Sequence, residues 1–111
     1  MGIRIKIGKH SAEIVEHKLP RHLGHGNELR LAHWGRDALV RAGARFFDVY
    51  EGAVIRLTEE HADELEKAAK RYAEQPGIDI MREDNLAVMR WATARIRWAL
   101  ANEGDPYVYV E

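Results

Sequence analysis

Residues 83–102 predict a helix whose apolar positions leave it little bare circumference. At 100° per residue, Val88, Met89, Ala92, Ile96, Ala99 and Leu100 make one face, and Trp91 and Trp98, seven residues apart, carry it well around the helix. Only an edge with Arg90, Thr93 and Arg97 is clearly polar. Such a helix must be covered on two sides, by a sheet on one and by another helix or a second subunit on the other.

The sheet is expected from both ends of the chain. Ile3, Ile5 and Ile7 alternate with Arg4 and Lys6, the period-two pattern of a half-buried strand with a basic wet face. Gly8 to Ser11 reads as a turn, and residues 12–19, with Ile14, Val15 and Leu19, as the return strand of a hairpin. Gly104 and Pro106 stop the long helix, and Tyr107 to Val110 follow as a short strand able to pair with the first.

Between these ends, Pro20, Gly24, Gly26 and Asn27 mark residues 20–27 as a loop. Asn27 is placed to cap a helix running to about Ala42, stopped by Gly43. Phe46 to Tyr50 favour a strand, Glu51-Gly52 a tight turn, and Val54 to Leu57 its return. Thr58 caps a helix from Glu59 to about Gln75, ended by Pro76-Gly77. The expected architecture is α+β: one domain over residues 1–111, with a small antiparallel sheet (N-terminal hairpin plus C-terminal strand) packed against about three helices.

Composition narrows the functional classes. With 46% hydrophobic and 32% charged residues the chain suits a globular domain and offers no membrane-spanning run. MGIRIKIGK lacks the unbroken apolar stretch of an export signal. The absence of cysteine removes disulfides, thiolate nucleophiles and thiolate zinc sites, and suits a reducing compartment, so a cytoplasmic location is expected. Residues 1–50 hold nine Lys/Arg against five Asp/Glu, and residues 51–111 eight against thirteen. This asymmetry can act within the fold, across a dimer or toward a charged partner.

Five of the six histidines, His10, His17, His22, His25 and His33, fall in the first 33 residues. Imidazole is a common metal ligand, so His22, His25 and His33, with Glu28 or Asp37, are a conditional set for a divalent metal. Their spacing matches no diagnostic motif. His61, near the positive end of its helix, reads as a neutral packing residue. Ser11 is the only serine, and its neighbour His10 diverges from it in an extended chain, so no catalytic residue is assigned. Arg4, Lys6 and Lys9 on the first strand, with Arg30, Arg36 and Arg41 on the first helix, could form a basic patch for nucleic acid.

The expected role is a small accessory, inhibitory or regulatory protein, non-enzymatic and homodimeric, that binds another protein and carries no cofactor. Its contact surface would combine His22, His25, Arg30, His33 and Arg36. The alternatives are a metal-dependent enzyme built on the histidine loop and a weak nucleic-acid binder using the basic N-terminal half. Trp34, Trp91 and Trp98 are large anchors for so small a domain, with Trp91 and Trp98 read as core.

Overall fold

A computed structural model describes residues 2–77 and 79–111. The central strand, β1 (Gly2–Ile7), is the alternating isoleucine segment at the start of the chain. It is flanked by β3 (Glu28–Ala32) and β5 (Tyr107–Val110), with β2 (Gly24–His25) outside β3 and β4 (Val54–Arg56) outside β5, all antiparallel. Gly2 faces Ala32 and Lys6 faces Glu28 on one side, while Ile5 faces Val110 on the other. This register puts Ile3, Ile5, Ile7, Leu29, Leu31, Val108 and Val110 on one buried face.

The helices are α1 (His33–Arg41), α2 (Glu59–Glu74) and α3 (Arg82–Asn102). As its apolar circumference demands, α3 is covered twice. It touches β1 on one side and packs along α2, burying Val88, Met89, Trp91, Ala92, Ile96 and Ala99. The cover comes from the same chain, so α3 supplies no reason for a second subunit. No helix among the described residues is long and apolar enough to cross a membrane.

Three expected elements take other forms. Residues 12–19 are not a strand. They are irregular apart from a 3-10 turn at Val15–His17, and Val15 is exposed. The place beside β1 goes to residues 28–32, whose Leu29 and Leu31 give the cleaner alternation. The helix expected from Asn27 therefore starts only at His33. Asn27 caps no helix: its amide donates to the Gly8 carbonyl at 2.9 Å and its carbonyl accepts from the Ile7 N–H at 2.8 Å. Gly26, at φ 60°, supplies the positive φ of the two-residue turn between β2 and β3.

The strand expected at Phe46–Tyr50 is a 3-10 turn at Arg45–Phe47 followed by irregular chain. Phe46 and Phe47 are both buried and meet edge to face at 5.3 Å. Consecutive strand residues point to opposite faces, so burying both rings on one side needs a helical turn. Accordingly β4 pairs with β5 instead.

The Thr58 cap is reciprocal. The Thr58 side chain accepts from the N–H of His61, and Nδ1 of His61 accepts from the N–H of Thr58 at 3.1 Å. Histidine here takes the place usual for Glu or Gln in a capping box.

Arg95 of α3 is fully buried and was not conspicuous in the sequence. Its guanidinium donates to the carbonyls of Ile7 at 3.2 Å, Ala12 at 3.0 Å and His10, and lies 4.5 Å from the centre of the Trp98 ring. Burial draws its pKa below the ordinary value, and the Glu103 carboxylate opposes that shift. The same carboxylate accepts from the N–H groups of Lys9 at 2.6 Å and His10 at 3.3 Å. Loop 8–12 is thus pinned to the end of α3 by an ion pair that also satisfies its backbone.

Candidate functional site

The junction of β3 and α1 builds a groove. Leu31 points into the core, and two residues after the strand ends Trp34 emerges on the second position of α1 with 62% of its surface exposed. Opposite lie the first two turns of α3 and the residue before them, which supply Met81, Asp84 and Val88. The segment before β2 closes one end: the Leu23 N–H bonds to Pro20 at 2.9 Å, its carbonyl accepts from the N–H of Arg30 at 2.7 Å, and His22 is left at the rim. Nε2 of His22 stands 3.6 Å from the Asp84 carboxylate. The groove has a volume of about 320 Å³ and an apolar lining of Leu23, Leu31, Trp34, Met81 and Val88. A shallower depression over Gly2, Arg4, Glu51 and Glu111 shares His22 and Arg30 with it.

Of the five residues assigned to the contact surface, His22 and Arg30 meet here. His25 lies on β2 beside a separate small cavity with Glu13, Arg21 and Trp91. His33 is the exposed first residue of α1. Arg36 donates to the Val49 carbonyl and to Asp37 at 2.8 Å, so it fastens α1 to the chain after the 3-10 turn. Trp34 was noted as an anchor but not assigned to the surface, and Leu23, Met81 and Asp84 carried no local signal. Their proximity is created by the fold.

The other constellations do not assemble. Among the described residues no three His, Asp or Glu side chains gather as a metal-ligand set, and this includes His22, His25 and His33. The Ser11 hydroxyl sits beside Gly26, and no histidine hydrogen-bonds to it among the described residues.

The basic row on the outer face of the sheet is paired to acids, three cations sharing two carboxylates. Arg4 and Arg30, directly opposite across the strands, share Glu28 at 2.7 and 3.1 Å. Lys6 and Arg4 bond to Glu111 at 3.0 and 3.4 Å. Lys6 foremost, then Arg4, holds the Glu111 carboxyl below the usual range. Like charges facing each other across strands repel unless carboxylates intervene, and here they do.

A second polar cluster joins α2 to α3. The Tyr72 hydroxyl donates to Asp79 and accepts from the Asn85 amide at 3.1 Å, while Arg82 lies 5.7 Å from the ring centre. Burial foremost, with the Asp79 hydrogen bond, raises the Tyr72 pKa; the Tyr72 bond foremost, then the Met81 N–H, lowers that of Asp79. This cluster shapes the turn into α3 from which the groove wall starts.

No protein-family model matches this chain, no curated protein matches its sequence, and no solved structure matches it.

Proposed function

We propose that this chain is a small non-enzymatic protein of accessory, inhibitory or regulatory type, acting in the cytoplasm, that takes an apolar side chain of a partner protein into the Trp34 groove. The observation that carries this reading is Trp34 itself, a large indole 62% exposed on the rim of an apolar groove in a molecule that buries Trp91. Fully burying a large apolar side chain contributes roughly 1.5–3 kcal/mol, and aromatic residues with Arg are the usual anchors of protein contacts. Arg30 and His22 at the rim supply the polar border. Arg4, Arg30 and Lys6 each already hold a carboxylate, which lowers the charge this face offers a nucleic-acid backbone.

The test is a titration of isotope-labelled protein with blocked tripeptides carrying a central Leu or Trp, followed by NMR. Signals of Leu23, Met81, Val88 and the Trp34 indole are expected to shift together, and Trp34→Ala to abolish the response. Unmoved signals at millimolar peptide overturn the proposal.

A further inference from the structure

Strand β4 forms one end of the sheet, and no strand pairs with its outer edge. The Val110 N–H bonds to the Ala53 carbonyl at 3.0 Å and the Leu57 N–H to the Pro106 carbonyl at 2.9 Å. Bonded and non-bonded pairs alternate in an antiparallel ladder, so Ala53, Ile55 and Leu57 turn their backbone groups toward β5, while Val54 and Arg56 turn theirs outward. Among the described residues no hydrogen bond reaches those two N–H and two C=O groups. At the opposite end of the sheet β2 is only two residues long and offers no comparable run. Two large apolar side chains also stand in water beside β4, Val54 at 60% and Tyr50 at 76% exposure.

A cavity of about 410 Å³ opens beside this edge. Its apolar lining is Phe46, Val49 and Ile55, and β5 contributes nothing to it, which places it on the free side of β4. Asp48 and Glu64 also line it, and among the described residues neither carboxylate has an ion-pair partner. Arg45 shares the lining without pairing to either, and His61 has its Nδ1 engaged by the Thr58 N–H. We propose that the β4 edge receives an extended segment of a partner protein as a sixth, antiparallel strand, with a lysine opposite Ile55. The free N–H and C=O groups select extended backbone, because a strand answers all of them in register. Directly opposite residues share a face of the sheet, so the side chain facing Ile55 is delivered over the cavity. Two carboxylates against one guanidinium favour a cation there, and a lysine can lay its aliphatic stem on Phe46 and Val49 while its ammonium answers Asp48 and Glu64. A second copy pairing edge to edge about Ile55 brings an isoleucine instead and leaves both carboxylates unanswered. The surface shares no residue with the Trp34 groove, so neither reading depends on the other.

The probe is the blocked pentapeptide Thr-Thr-Lys-Val-Thr, titrated to millimolar concentration into the isotope-labelled full chain and followed by NMR. The amide signals of Val54 and Arg56 are expected to shift and their exchange with solvent to slow. A glutamate in the central position should weaken binding by about tenfold or more. N-methylation of the second and fourth residues, which face Arg56 and Val54 and carry the bonds, should abolish the response. N-methylation of the central residue, whose N–H points away from β4, should preserve it. In the variant Asp48→Asn with Glu64→Gln, its fold verified by far-UV circular dichroism, the lysine and glutamate peptides should bind alike. Silent β4 amides, equal affinity of the two peptides for the wild type, or a lysine preference that survives in the variant overturns the proposal. Indifference to the paired N-methylation, or loss of the response on central methylation alone, does the same. So does a wild type that sediments as a dimer with the Val54 and Arg56 amides protected, since a second copy then holds the edge.

Discussion

The guanidinium of Arg95 lies 3.5 Å from the Glu103 carboxylate, and the two side chains are 0% and 3% exposed. Removing one partner strands the other charge out of water. Arg95→Met is therefore expected to lower the unfolding free energy by about 3–5 kcal/mol in urea titrations. The double change Arg95→Met with Glu103→Gln should cost less than the sum of the two single changes, which identifies the coupling between them.

Gly8 sits under this ion pair at φ 78°, and a Cβ there would stand 2.6 Å from a Glu103 carboxylate oxygen. Gly52 has a similar φ of 88° but opens onto empty space. Gly52→Ala should cost only the backbone strain, about 1–2 kcal/mol. Gly8→Ala should cost more, because Glu103 must also leave its contacts with Lys9 and His10. Equal losses in the two variants would contradict the clasp.

Stability should respond to pH from both sides through the Tyr72 and Asp79 pair. Asp79 has a lowered pKa in the folded protein, so its contribution is present above its unfolded pKa and is lost as pH falls through the folded one. Tyr72 has a raised pKa, so its contribution is complete below its unfolded value and is lost as pH rises through the folded one. The stability difference between wild type and Asp79→Asn should shrink in acid, and that between wild type and Tyr72→Phe in strong alkali. Urea unfolding across the pH range measures both.

Helix α2 depends on its reciprocal cap. Thr58→Ala should destabilise by about 1 kcal/mol. His61→Gln keeps an acceptor for the Thr58 N–H but loses the ring contact with Phe46 at 5.6 Å, so it should fall between wild type and His61→Ala. Thermal unfolding orders the three.

The tryptophans should separate by role. Trp34→Ala is expected to change stability by no more than about 0.5 kcal/mol, as exposed positions do. Trp91→Ala should cost about 3–5 kcal/mol. Comparable losses at both sites would show that Trp34 packs in the core.

What the chain discloses before folding is what depends on neighbours in sequence. Ile3, Ile5 and Ile7, the Thr58 cap and the face of α3 are local patterns, and each corresponds to an observed element. Leu31 also fits a broad helical stripe with Trp34, Ala38, Leu39 and Ala42, which conceals its alternation with Leu29. Two alternating leucines are too short a pattern to choose between periods. Adjacent Phe46 and Phe47 were read through β propensity, which competition for burial overrode. The groove was half visible, in His22, Arg30 and Trp34. Its other wall arrives from residues 81–88, more than 45 positions later than Trp34, and no spacing announces that meeting. Arg95 was hidden for the same reason, since its partners are carbonyls of residues 7–12.

The placement of β1 between β3 and β5 also bears on how the sheet closes. Along the chain β1 gains β3 as a neighbour within some thirty residues, but its other flank waits for Tyr107–Val110, and Arg4 meets Glu111 across 107 positions. Until residues 107–110 are in place, the fold carries an isoleucine-rich strand with one open edge, and β4 has nothing to pair with. Removing residues 107–111 should therefore expose that edge to other chains and lead to aggregation.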